Sequence, residues 1–194
     1  MLKIDYIVNS FFSSITWLLS DEESSWVWLV DCGDVEPILE KIGERSIAGV
    51  MLTHTHFDHI YGLNELVQHY PTFKVYTSQH GVEGLKNPKI NMSRYHDEVE
   101  DFIYQFDNIE ILVDKQVIDI EGEQIKVLET PGHDWSCLTY HIGNFLFTGD
   151  SYIPNTKPQF NFPKGNKELY QLSEERILHC AKSKNLIIKP GHIC

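Results

Sequence analysis

Short runs of alternating apolar and polar residues give way to longer amphipathic runs, and the sequence does this twice. Residues 2–8, 14–20 and 26–31, rich in Ile, Val, Leu and Trp, read as three consecutive strands. The apolar run from Phe11 to Leu19 belongs to this set. Asp5 precedes it and no small-residue cleavage site follows, so it does not read as a signal peptide. Asp34 is placed to cap a helix over about 35–43, with Pro37 in its first turn and Gly43 at its end. A strand at 47–52, a helix over about 60–70, a strand at 73–77 and a short helix from Gln79 follow. Residues 87–108 hold Pro88, scattered charges and Tyr95, Phe102, Tyr104 and Phe106, and we expect a helix-bearing segment there, over the mouth of a site. Strands resume at about 109–113, 117–120, 124–130, 138–142 and 144–149, followed by a helix over 166–182 and a last strand at 185–189. Strands then helices, twice over, imply a four-layer αββα sandwich, an α/β (α+β) architecture of two mixed sheets with helices outside. There is no internal repeat or linker, and 194 residues suit one domain, 1–194.

Candidate chemistry is concentrated at the ends of these strands. Residues 53–59 read Thr-His-Thr-His-Phe-Asp-His, placing His54, His56, Asp58 and His59 within six positions. Imidazole nitrogens and carboxylate oxygens suit a borderline cation such as zinc. Alternate residues of an extended segment project the same way, so His54 and His56 can close on one ion, with Asp58 and His59 beyond them for a second. Further apolar strands end in Thr130-Pro131-Gly132-His133, Thr148-Gly149-Asp150 and Pro190-Gly191-His192. Each is a tight exit that aims a ligand-type side chain.

These motifs together resemble the metallo-β-lactamase superfamily and, within it, the glyoxalase II (hydroxyacylglutathione hydrolase) branch. Val30-Asp31-Cys32-Gly33 also fits the early strand of that family. The resemblance spans positions 53 to 192 and implies the metallo-β-lactamase fold. It also implies two divalent metal ions, zinc first among them, with iron and manganese also suited to such ligands. His54, His56 and His133 would hold the first ion, and Asp58, His59 and His192 the second. Asp150 would bridge them, and Asp58 would orient a metal-bridging hydroxide. The implied reaction is hydrolysis of a small-molecule thioester or related acyl bond. The alternatives are a mononuclear iron persulfide dioxygenase and a lactonase of the same fold. Asp31 is the candidate partner for a metal-bound imidazole; a strand-end cap is its other reading. Thr53, Thr55 and Thr148 read as strand filling. The chain ends two residues after His192, short of the C-terminal helical region that gives glyoxalase II its cationic contacts to glutathione. Lys157, Lys164 and Tyr152 are the residues that would meet substrate in its place. His96 and Tyr95 would line the cleft if 87–108 folds over it, and His69, His80, His141 and His179 read as structural or surface residues.

Charge and cysteine content narrow the choice. The net charge of −12 and pI of about 5.2 argue against nucleic acid as a partner. The acidic run 97–101 reads as a solvated face. Cys32, Cys137, Cys180 and Cys194 form no close pair, which fits reduced thiols and a cytoplasmic setting, with Cys194 as a tail thiol. No stretch approaches the ~20 apolar residues of a membrane span, so no membrane is expected as a partner.

Overall fold

The computed structural model describes every residue except Met1, Glu22, Glu121 and Cys194, so the expectation for the Cys194 thiol lies outside the described residues. The first sheet runs β1 (Lys3–Val8), β2 (Ile15–Ser20), β3 (Trp26–Val30), β4 (Ser46–Met51), β5 (Lys74–Thr77), β6 (Ile109–Ile111) in that spatial order. Its first three strands are an antiparallel meander, and β3 to β6 are parallel. The second sheet is ordered β11 (Ile187–Pro190), β10 (Phe145–Gly149), β9 (Leu138–Ile142), β8 (Glu123–Glu129), β7 (Val117–Ile120). It is antiparallel except for the β10–β11 pair.

Three apolar layers follow from the alternation of side chains along the strands. Leu18, Val27, Leu29, Ile47, Val50 and Val75 face α1 (Val35–Ile42), α2 (Leu63–His69) and α3 (Gln79–Leu85), which contribute Ile38, Leu63, Leu66 and Leu85. Trp17, Leu19, Val30 and Met51 on the opposite face meet Ile125, Val127, Tyr140, Ile142 and Phe147 of the second sheet. Leu146 and Ile188 of that sheet pack outward against Ile177 and Ala181 of α4 (Lys167–Lys184). Helix, sheet, sheet, helix is the predicted layering. No described helix is long and apolar enough to cross a membrane.

Local departures from the sequence reading have physical causes. The helix expected over 60–70 is shorter: α2 begins only at Leu63, after a separate 3-10 turn at Phe57–His59. The run Phe11 to Leu19 is not strand throughout: residues 10–13 form a turn and β2 starts at Ile15. Asp34 precedes α1 without capping it, because its carboxylate accepts from Ser10 N, Ser10 Oγ and the Tyr61 hydroxyl. Residues 87–108 contain no α-helix, only a 3-10 turn at Ser93–Tyr95. Their backbone is held by side chains: Asn91 donates to the carbonyls of Gly84 and Phe102 and accepts from Ser93 N and Oγ. Such local bonds offer the backbone an alternative to a helix.

Candidate metal centre

The candidate residues leave the C-terminal edges of both sheets, and hydrogen bonds across the sheets bring those edges together. Leu138 N donates to Thr53 O at 2.7 Å and the Tyr140 hydroxyl to Leu52 O at 2.7 Å, tying β9 to the histidine loop. Ile15 N donates to Gly191 O and Trp17 Nε1 to Pro190 O, tying β11 to the first sheet. Because Gly149 of β10 is in register with Pro190 of β11, Asp150 and His192 emerge side by side. Gly149 has φ +51° and lies against the Thr53 side chain, where a Cβ would overlap Thr53 Oγ1.

All seven candidates, His54, His56, Asp58, His59, His133, Asp150 and His192, meet in one cluster. Three groupings bring donor atoms within 4.8 Å of one another: His54 with His56 and His133, His54 with His59 and Asp150, and Asp58 with His59 and His192. His133 Nε2 lies 3.0 Å from His56 Nδ1, and His59 Nε2 lies 3.2 Å from His192 Nε2. Asp150 spans the groups, with Oδ2 3.6 Å from His133 Nε2 and 3.3 Å from His192 Nε2, and Oδ1 3.6 Å from His59 Nε2. Asp58 Oδ2 is 3.4 Å from both His59 Nε2 and His192 Nε2.

The surroundings set which nitrogen of each ring faces inward. His59 Nδ1–H donates to Asp31 Oδ2 at 2.9 Å, His133 Nδ1–H to the Gln159 carbonyl at 2.8 Å, and His192 Nδ1–H to the Phe12 carbonyl at 3.0 Å. Each acceptor keeps the proton on Nδ1 and leaves the Nε2 lone pair for the centre. Asp31 is thus the imidazole partner that the sequence suggests, and it caps no helix. It sits in the left-handed region at φ +62°, and its carboxylate also accepts from Thr53 N and Thr53 Oγ1. Thr53 is therefore more than strand filling: its hydroxyl, 3.2 Å from His54 Nδ1, relays between that ring and Asp31. The sequence reading missed Asp134, next in the chain to His133. It is buried, accepts from Ser136 N and Oγ, and turns Oδ2 toward His56 Nε2 at 3.9 Å. A second carboxylate directly after a ligand-type histidine was the available signal.

The donor set fits a cation. His54 Nε2 and Asp150 Oδ1 are buried without any hydrogen-bond partner, a costly state unless a cation satisfies them. Burial holds His54 and His56 well below the ordinary imidazole pKa, in the neutral form that binds metal. Burial also works against charge on His59, yet the carboxylates of Asp58, Asp31 and Asp150 outweigh it and raise that pKa to about 10. Burial pushes Asp58 up, whereas for Asp150 the same penalty is overcome by His59 and His192, which hold it well below the usual range. The protein has gathered carboxylates that need positive charge among them.

A cleft of about 520 Å³ opens onto the cluster. His56, Asp58, His133, Asp150 and His192 form its floor, and Phe12, Phe57, Met92, His96, Ile153 and Phe162 are among its walls. His96 is therefore on the cleft, whereas Tyr95 is exposed and lines none of it. Lys164 places Nζ 4.0 Å from the centre of the Trp135 ring, Tyr152 packs near Leu146 and Ile177, and neither these residues nor Lys157 lines the cleft. His80 stacks on the Trp135 ring at 4.1 Å, and His141 Nε2–H donates to the Gly143 carbonyl away from the site.

Comparison with known proteins agrees with this geometry. The family model described as the Metallo-beta-lactamase superfamily matches residues 12–192. A probable metallo-hydrolase of Streptococcus pyogenes serotype M6 is 30% identical over 176 residues, covering 87% of this chain and 74% of that protein. A hydroxyacylglutathione hydrolase of Pseudoalteromonas translucida is 25% identical over 174 residues, covering 89% of this chain and 56% of that one. The chain thus spans little more than half the length of that second relative. In structure, the BLEG-1 B3 metallo-beta-lactamase superposes with a TM-score of 0.87 at 20% identity, covering 99% of this chain and 92% of the other.

Proposed function

Because the chain belongs to the metallo-beta-lactamase superfamily, whose members bind divalent metals, we propose that it is a glyoxalase II-like dinuclear metallohydrolase that cleaves a thioester or related acyl bond. His54, His56 and His133 would hold one ion and Asp58, His59 and His192 the other, with Asp150 between them. Zinc is the first choice of metal, and the free thiols of Cys32, Cys137 and Cys180 are in keeping with a cytoplasmic setting. The observation that carries the reading is the convergence of seven donors around His54 Nε2 and Asp150 Oδ1, buried atoms with no hydrogen-bond partner.

Divalent ions bound there would lower the pKa of a water to about 7 and polarise a carbonyl oxygen. The protein's own groups do the rest. Asp58 is a ligand candidate that also lines the cleft, so its carboxylate can accept a proton from the attacking water and orient it. Asp31, Thr53 and the carbonyls of Gln159 and Phe12 fix the imidazole planes. Apart from His96 and the ligand candidates, no described residue on the cleft is titratable. With His96 the one candidate acid among the described cleft residues outside the ligand set, a leaving group that departs without protonation is favoured. A thiolate, with a pKa near 8.5 in the free thiol, meets that condition better than an amine.

The test is metal content together with chemistry. Purified protein should carry about two metal equivalents per chain and release thiol from a thioester in a disulfide-exchange colour assay. Metal-loaded protein inert toward thioesters and lactones defeats the proposal, and oxygen uptake with a persulfide would replace it by a dioxygenase.

A further inference from the structure

The walls of the cleft say which acyl compounds it takes. Phe12, Phe57, Met92, Ile153, Phe162 and Ile193 line it, and none of its described lining residues is Lys or Arg. Around the cluster stand four buried carboxylates, Asp31, Asp58, Asp134 and Asp150. Carboxylates this close would offset the charge of bound cations, and the cleft has no described cationic Lys or Arg to hold an anionic substrate. The chain as a whole carries −12, which repels an anion on approach.

The rim carries an independent sign. Phe12 is 58% exposed and Ile193 is 56% exposed, both at the cleft mouth. Phe12 also has φ +52° and the next residue, Ser13, φ +56°, a region that a bulky side chain rarely occupies. The strained turn is pinned by Ser14 N donating to Phe11 O and Asn9 N to Ser14 O. It holds the Phe12 ring edge-on to Phe57 at 5.7 Å and tilted against His96 at 5.2 Å. Asn or Gly would satisfy that backbone at lower cost. The turn also aims the Phe12 carbonyl at His192 Nδ1, and the phenyl ring it leaves exposed at the cleft mouth points to a ligand that covers it.

We propose that the substrate is an uncharged thioester with an apolar acyl or thiol arm lying on Phe12, Phe57 and Phe162, and that anionic thioesters such as those of glutathione are poor substrates. The inference rests on the hydrolase reading above. The experiment compares kcat/KM for a neutral N-acetylcysteamine thioester of a medium-chain acid with that for S-lactoylglutathione, on metal-loaded protein. The neutral compound should lead by at least about tenfold, the equivalent of burying roughly one apolar side chain. Raising the ionic strength should speed only the anionic substrate, because it screens repulsion. Equal or greater efficiency with S-lactoylglutathione overturns the proposal. Equilibrium binding of two unhydrolysable thioethers, S-hexyl-N-acetylcysteamine and S-hexylglutathione, separates the two readings. Tighter binding of the neutral thioether without hydrolysis of either ester sinks the hydrolase alone, whereas tighter binding of S-hexylglutathione sinks the substrate class alone.

Phe12→Asn tests the rim. Asn tolerates the left-handed backbone, so the melting temperature should hold or rise while kcat/KM for the neutral thioester falls about tenfold. A lowered melting temperature with unchanged kcat/KM would show that the ring serves the fold and would overturn its role in binding.

Discussion

The two sheets contribute to the cluster in different ways. The first supplies His54, His56, Asp58 and His59 from one loop after β4, all buried and cross-braced by Asp31 and Thr53. The second supplies His133, Asp150 and His192 from three separate turns, braced by carbonyls at Gln159 and Phe12. Local backbone geometry sets the first half, while the second half depends on strand register, since Asp150 and His192 are adjacent only because β10 pairs with β11. The contiguous half is preorganised by the chain itself, and the dispersed half is assembled only when the sandwich is complete. A metal shared between the halves would therefore couple ligand binding to the packing of the two sheets.

The most damaging change should be removal of Asp150, which stands between the two donor groups. Asp150→Ala is expected to cut bound metal from about two equivalents to well below one and activity by about a thousandfold or more. Elemental analysis after dialysis checks it, and retention of both ions would show that neither depends on Asp150. Asp31→Asn acts on the first half only. It keeps the size of the side chain but weakens its acceptance from His59 Nδ1, and loss of such a partner costs about 10–100-fold in metal affinity. Chelator competition should show one ion lost early and the other kept.

A steric change strikes the second half. A Cβ at Gly191 would overlap Asp150 Oδ1 and stand 2.9 Å from His59 Cε1. Gly191→Ala should cost about 1–3 kcal/mol of stability by overpacking, lowering the melting temperature by roughly 2–12 °C for a chain of this size. Metal affinity should fall with it, as thermal melts with and without added zinc would show. A variant with full stability and full affinity would mean that the turn gives way freely.

The same contrast separates the ligands that are legible in the sequence from the braces that are not. The loop 53–59 is legible because its ligand-type residues are neighbours in sequence, and the Pro-Gly and Gly-Asp exits of β8, β10 and β11 because tight turns have their own residue signature. The braces are less visible. Thr53 reads as an ordinary strand residue until Asp31, twenty-two positions earlier, is seen to accept from both its backbone and its hydroxyl. Asp134 depends on a turn that brings it toward His56, a contact across seventy-eight positions. A helix-bearing segment is expected over 87–108, yet Asn91 and Ser93 satisfy its backbone by side-chain bonds. Periodicity reports which face is apolar and carries no trace of such capture.

The smallest effect concerns the outer brace of the second half. Asp114 accepts from Glu129 N at the end of β8 and pairs with Arg176 of α4 at 2.8 Å, while Arg176 also donates to the Glu129 carbonyl. This triangle pins α4 onto the sheet that carries His133. Burial raises the Asp114 pKa, but the Glu129 N–H and the Arg176 guanidinium outweigh it, so the folded value lies below 3.8. A group depressed on folding stabilises the fold fully above its unfolded pKa and loses that contribution as pH falls through the folded value. Asp114→Asn should therefore lower stability by about 0.5–1 kcal/mol at neutral pH, a modest figure because the pair is partly solvated. The gap between variant and parent should stay constant above about pH 5 and close as the pH drops below the ordinary carboxylate value. Paired denaturant titrations across that range measure it. A gap that persists at the acid end would assign the loss to packing of α4 and not to charge, and would place the second sheet's dependence on α4 in its apolar contacts at Ile177 and Ala181.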